Sequence, residues 1–192
     1  MHFGPRAVFA IIWGAWAVSW LVAAFWSART QKRAGTSVEL RYRILLGIGA
    51  VLMAPWAARR LGVAPLWNAG VAGSYLLAAV ALAGLVFSWW ARLHLGPLWS
   101  GAITRKQDHR IVDSGPYALV RHPIYTGLIA ALLASALAEA TATALGGVAL
   151  IVFSLWVKAR AEERFLTGEL GADAYEPYRR RVPMLVPRLR RR

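Results

Sequence analysis

The sequence predicts an all-α fold, a polytopic transmembrane helical bundle of about five spans. Three observations carry that prediction. Of the 192 residues, 58% are hydrophobic, well above the roughly half apolar usage of soluble domains. The apolar residues are gathered into runs long enough to cross a bilayer, and the charged residues lie between those runs.

Residues 7–26 are twenty positions without a charge. At about 1.5 Å of rise per helical residue they match the roughly 30 Å hydrocarbon core. The run is longer than a signal-peptide apolar region and no small-residue cleavage pattern follows it, so it is read as a retained first span. Residues 44–58 are a shorter run interrupted by Gly47, Gly49 and Pro55. Residues 69–91 form a third span ending in Phe87, Trp89 and Trp90, where an interfacial aromatic anchor is expected. Residues 124–157 are one apolar block whose only charge is Glu139. The expectation is a hairpin of two short helices turning near Glu139, each arm about fifteen residues or roughly 22 Å long.

Five spans put residues 27–43, 92–123 and 158–192 on one face of the membrane. These segments hold twenty of the 23 Lys and Arg, leaving Arg6, Arg59 and Arg60 on the other face. Basic residues mark the cytoplasmic side, so the N-terminus is expected outside and the C-terminus inside. In a bacterial cell the location would be the inner (plasma) membrane. The net charge of +14 does not point to nucleic acid, because it is divided among apolar spans and forms no contiguous basic face on a soluble scaffold. It suits anionic headgroups, with Arg190, Arg191 and Arg192 as a solvated tail on the lipid surface. The chain has no Cys, which excludes disulfides, thiolate metal sites and cysteine nucleophiles.

The connector between the third and fourth spans is unusually rich in chemistry. It carries His109, Tyr117, Arg121, His122 and Tyr125, with Gly115-Pro116 enforcing a turn. Pro123 suits the first turn of a helix, whose free N–H groups and partial positive charge favour a carboxylate or phosphate. The bland reading is that Arg121 and His122 only mark the membrane boundary. After the last span come Lys158, Arg160, Glu162, Glu163 and Arg164, which taken alone read as a charge-paired, solvated helix. Adjacent on a helix, Glu162 and Glu163 point in different directions, so one is expected at a site and the other in water. His109 and His122 lack acidic companions at ligand spacing, so no metal site is expected. Gly47 and Gly49 lie inside an apolar span and are not a dinucleotide fingerprint.

Five pieces of the sequence, in order, resemble the isoprenylcysteine carboxyl methyltransferases and the related phospholipid methyltransferases of membranes. They are His109-Arg110-Ile111-Val112; Ser114-Gly115-Pro116-Tyr117; Arg121-His122-Pro123-Ile124-Tyr125-Thr126-Gly127; Glu162-Glu163 with Leu166; and Tyr175, Tyr178 with Arg181-Val182-Pro183. One departure is Ala102, where the eukaryotic enzymes carry Gln. The resemblance implies one membrane methyltransferase domain over residues 1–192, with spans in 1–91 and a cytosolic catalytic, cofactor-binding half in 92–192. It implies S-adenosylmethionine as donor, with S-adenosylhomocysteine as product. Carried over residue by residue, it places His109, Arg110, Ile111, Val112, Tyr117, Arg121, His122, Pro123, Ile124, Tyr125 and Glu162 at that cofactor. Lys158 and Arg160 become candidates for orienting a lipophilic acceptor, a carboxylate or a phospholipid amine, and Glu163 a candidate to take a proton from an amine. The competing expectations are an NADPH-dependent membrane sterol or enone reductase and a non-catalytic lipid-binding membrane protein.

Overall fold

The computed structural model describes residues 3–26, 30–33, 36–106 and 111–188. His109, Arg110 and the arginines at 190–192 lie outside the described residues. The described chain is helical apart from one antiparallel ribbon, in which β1 (Thr30–Arg33) pairs with β2 (Thr104–Lys106). The helices are α1 (Pro5–Ala24), α2 (Thr36–Met53), α3 (Pro55–Arg60), α4 (Gly70–Leu95), α5 (Pro123–Glu139), α6 (Ala142–Leu170) and α7 (Ala172–Arg181). Short 3-10 turns occupy Gly96–Leu98 and Gly115–Ala118. Among the described residues, three helices are long and apolar enough to cross a membrane: α1, α4 with its 3-10 extension, and α6. Helix α5 is apolar but only 17 residues long.

Two boundaries differ from expectation for physical reasons. The second apolar run begins its helix at Thr36 and ends at Met53. Pro55 forces Ala54 into an extended conformation and restarts the chain as α3. The hairpin does turn at Glu139, where Ala140 takes the left-handed conformation and the Thr141 hydroxyl caps α6 by accepting from the Ala144 N–H. Its second arm exceeds the expected fifteen residues because it runs on without a break into the charge-paired helix read after it: α6 is 29 residues long, with Lys158 directly after its apolar stretch and Glu162 and Glu163 about one turn further.

The heaviest packing joins α4 to α5 and α2 to α6. Both pairs cross at glycines. A Cβ on Gly84 would lie 2.5 Å from the Gly127 oxygen, and one on Gly147 would lie 2.6 Å from the Gly49 oxygen. Small residues let backbones approach closely where lipid provides no hydrophobic drive. A buried serine pins each crossing: Ser88 donates to the Ile124 carbonyl at 3.0 Å and Ser154 to the Tyr42 carbonyl at 2.6 Å. Helix α1 packs lightly on α4 and has no buried residue. Gly84→Val is therefore expected to lower stability by about 1–3 kcal/mol through overpacking, read by thermal unfolding in detergent. Gly146→Val, with nothing within 4 Å of its Cβ, serves as the near-neutral control.

Candidate active site

The site is assembled where the connector enters α5. Gly115 takes φ +56°, and a Cβ there would meet the His94 ring at 2.7 Å. The turn therefore lies flat on α4, tied by a 2.9 Å hydrogen bond between His94 Nε2 and Ser114 Oγ. Tyr117 is buried beneath it and its carbonyl accepts from the Tyr178 hydroxyl at 2.8 Å. Pro123 opens α5 and no side chain caps that helix. Residues 182–185, beyond α7, strap the same corner. The Arg121 and His122 N–H groups donate to the Pro183 and Met184 carbonyls at 2.8 and 3.1 Å, and Thr126 Oγ1 donates to Leu185 O at 2.7 Å.

The two adjacent glutamates of α6 diverge, but neither faces bulk water. Glu163 is buried and receives Arg121 through Nε at 2.7 Å and Nη2 at 3.1 Å. His122 Nε2 lies 3.1 Å from the same carboxylate, and because a carboxylate only accepts, this nitrogen carries the proton. Arg121 further donates to the Arg179 and Val182 carbonyls. Burial works against charge on Glu163, but the hydrogen bonds from His122 and Arg121 outweigh it and hold its carboxyl at about 2. Glu162 turns the other way, accepting from the Tyr125 hydroxyl at 2.7 Å, with Lys158 Nζ at 3.7 Å. His122 and Tyr125 stack in parallel, with ring centroids 5.4 Å apart.

Glu162, Tyr125 and Lys158 face a cavity of about 320 Å³, a size typical of small-molecule sites. Of the residues the sequence singled out, Ile111, Val112, Tyr117, Arg121, His122, Ile124, Tyr125, Lys158 and Glu162 line it. Three others do not. Pro123 is buried in the helix start. Arg160 points outward over the Trp156 ring at 5.0 Å, because two positions along a helix from Lys158 is nearly the opposite face. Glu163 sits behind Arg121, and a carboxyl held at about 2 takes no proton at neutral pH. Arg121 reaches the wall, but its guanidinium is spent on Glu163 and two carbonyls, so it braces the site. Burial pushes the Tyr117, Tyr175 and Tyr178 phenols up, so all three remain neutral hydroxyls.

Sequence reasoning missed much of the apolar wall, which Trp20 of α1, Leu95 of α4, Trp99, Ile103 and Leu128 form together with Leu166, Tyr175 and Tyr178 of the resemblance. Ala102, at the position of the departure noted above, also lines the cavity. Trp13, Trp16 and Trp20 recur at helical spacing, a stripe the sequence does display. Trp16 stacks on Trp20 at 4.8 Å, and Trp20 meets Trp99 edge-on at 5.6 Å. Behind Trp99, 4.4 Å from its ring, lies the guanidinium of the fully buried Arg92. Arg92 donates to Gly96 O and Ala23 O at 2.7 Å and to Trp26 O at 3.0 Å. It thus caps the end of α1, which has no basic residue in its own last turn.

Comparison with known proteins places this geometry in context. Residues 76–168 match the isoprenylcysteine carboxyl methyltransferase (ICMT) family. Over 93 residues, 45% of the chain, it is 38% identical to the protein-S-isoprenylcysteine O-methyltransferase of Schizosaccharomyces pombe, covering 36% of that protein. Over 75 residues, 38% of the chain, it is 46% identical to methanethiol S-methyltransferase 2 of Bradyrhizobium diazoefficiens, covering 27% of it. Over 99 residues, 50% of the chain, it is 35% identical to the cobalt-zinc-cadmium resistance protein CzcN of Cupriavidus metallidurans, covering 44% of it. The chain thus aligns with less than half the length of each of these curated relatives.

Proposed function

We propose, for a chain whose residues 76–168 match the isoprenylcysteine carboxyl methyltransferase family, that it transfers a methyl group from S-adenosylmethionine to a lipophilic acceptor bearing a carboxylate. The observation that carries the reading is the cavity itself, with a carboxylate, an ammonium and an uncapped helix N-terminus on one side and a tryptophan-lined wall on the other.

The residues present fit such a donor. The Glu162 carboxylate complements a cationic group, and the N–H groups in the first turn of α5, with no side-chain cap, suit a carboxylate. Ile111, Val112, Tyr117 and Tyr178 offer an apolar slot. When bound, S-adenosylmethionine supplies a sulfonium methyl whose leaving thioether is neutral and needs no acid. The protein's work is then orientation and exclusion of water, which together are worth several kcal/mol.

The nucleophile's charge decides the acceptor class. A carboxylate is ionised at neutral pH and needs only a cation to aim it, which Lys158 provides. A protonated amine would need a base, yet Glu163 is locked to Arg121 and Glu162 is engaged by Tyr125 and Lys158. The geometry therefore favours the carboxylate over the phospholipid amine. The apolar wall from Trp20 to Leu128 suits an acceptor body arriving from the bilayer. We take α2 and α5 as the two further crossings, which makes five spans and puts the site on the cytosolic side with the basic segments.

Calorimetric titration of the detergent-purified chain tests the reading. S-adenosylhomocysteine is expected to bind at micromolar Kd and NADPH not at all. Glu162→Ala should weaken the former at least about tenfold, the scale of a lost charge-assisted contact, while Arg160→Ala, outside the cavity, leaves it unchanged. Binding of NADPH alone would replace the proposal with a reductase.

A further inference from the structure

We propose that Tyr42 is a positioning residue of this site: it holds the Lys158 ammonium in the cavity, toward Glu162, and through it orients the acceptor's anionic group. What Lys158 does to an acceptor rests on the methyl-transfer reading. How Lys158 is held rests on geometry alone.

Lysine is a poor choice for a fixed cation. Its four-carbon stem is flexible, and near a membrane surface it extends to carry the ammonium into water. Lys158 lies at the last apolar turn of α6, where that escape is close at hand, yet its side chain is only 12% exposed. One hydrogen bond, to the Gly101 carbonyl at 2.9 Å, and the 3.7 Å approach to Glu162 account for part of this. The remainder is aromatic. Nζ lies 5.4 Å from the centroid of the Tyr42 ring and 5.3 Å from that of Tyr125, within the roughly 6 Å over which a ring face attracts a cation.

The two rings have different standing. Tyr125 lines the cavity and would touch a ligand; Tyr42 does not line it and meets the site through Lys158. Tyr42 is 4% exposed. Its hydroxyl lies beside the Arg43 side chain of its own helix, and it is the ring that lies against the Lys158 ammonium. Its backbone is fixed independently, because Ser154, one turn before Lys158, donates to the Tyr42 carbonyl. The Gly49 and Gly147 crossing further along draws α2 onto α6. Helix α2 thus reaches the site from the half of the chain in which the sequence offered no motif.

The chain has only three lysines, Lys32, Lys106 and Lys158, so acetylation by an N-hydroxysuccinimide ester can be followed site by site by mass spectrometry. In the purified full chain, Tyr42→Phe should keep the Lys158 rate within about twofold of wild type, while Tyr42→Leu should raise it about tenfold, the scale of a desolvated cation–π contact. The other two lysines and the affinity for S-adenosylhomocysteine should be unchanged in both variants. With S-farnesyl-N-acetylcysteine as probe acceptor, Tyr42→Leu should raise KM about tenfold and leave kcat within about threefold, a split that follows from lost uniform binding. Tyr42→Met takes the place of the leucine variant if the latter does not fold. Equal Lys158 labelling in wild type and the leucine or methionine variant, with donor-product binding intact, overturns the assignment of Tyr42 alone. Absence of S-adenosylhomocysteine binding in wild type overturns the methyl-transfer reading, and the labelling contrast then still decides whether Tyr42 holds Lys158.

Discussion

Glu163→Gln is expected to destabilise the protein by about 3–5 kcal/mol, the cost of stripping one partner from a buried ion pair, and to abolish binding of S-adenosylhomocysteine. The side chain ties three segments together: Arg121 and His122 at the entry to α5, α6 itself, and Arg179 of α7 at 4.0 Å, while Arg121 in turn donates to the Arg179 and Val182 carbonyls. Glutamine keeps the shape but removes the charge, leaving the buried Arg121 guanidinium without its anion. His122 then loses the acceptor that orients its ring, and the start of α5 loosens with it. The pH dependence has a definite sign. The carboxyl is lowered from 4.5 to about 2, so its contribution is fully present above pH 4.5 and is lost as the pH falls toward 2. Thermal unfolding in detergent between pH 5 and 2.5 should show wild type losing the advantage it holds over Glu163→Gln. A variant as stable as wild type at pH 7 would mean that the ion pair is not what holds the corner together.

Arg92→Met is expected to cost a similar amount, about 3–5 kcal/mol, since three carbonyls lose a charged donor and hydrogen bonds to charged groups are worth about 1.5–3 kcal/mol, the half-exposed Trp26 end contributing least. The effect on the site should exceed what its distance suggests. Arg92 is the tie between α4 and the end of α1, and α1 is otherwise held lightly. Releasing that end frees Trp20 and removes the cation behind Trp99, so both aromatic walls of the cavity shift together. Lysine at this position restores a charge but not the planar fork that reaches all three carbonyls. Arg92→Lys should therefore recover less than half of the lost stability. The measurement is thermal unfolding of the three proteins in the same detergent, with S-adenosylhomocysteine affinity as the second readout.

These residues also mark what the sequence could and could not tell. The hairpin at Glu139 was legible because the only charge in a long apolar block, followed by threonines, has nowhere to go but a membrane surface. Pro123 was legible as a helix start, and the five pieces of the resemblance contain eleven of the residues now found around one cavity. The continuation of α6 was legible, since its charged end has no breaker, but its burial was not: solvated and buried continuations look alike until the covering segment is known. Glu163 illustrates the point, since its partners come from more than forty residues before it and from Arg179 of α7. Arg92 opens the charged connector in the sequence and gave no sign of burial, since the carbonyls that receive it are those of Ala23 at the end of α1, Trp26 just beyond it and Gly96. Trp20 was one tryptophan among ten, and its helical stripe with Trp13 and Trp16 did not say which of the three meets a cavity.

The paired glycine crossings have a mechanical consequence. Where backbones touch, α4 and α5 form one stiff plate and α2 and α6 another, and the lighter α5 and α6 contact is the seam between them. The cavity draws its walls from both plates, with Ile124, Tyr125 and Leu128 on one and Leu155, Lys158 and Glu162 on the other. Compression or stretching by a surrounding bilayer is then expected at the seam and not within either plate, as a change in the width of the cavity. The thickness and lateral pressure of the lipid in which the protein is reconstituted thus become control variables for the site, to be set as deliberately as pH or salt.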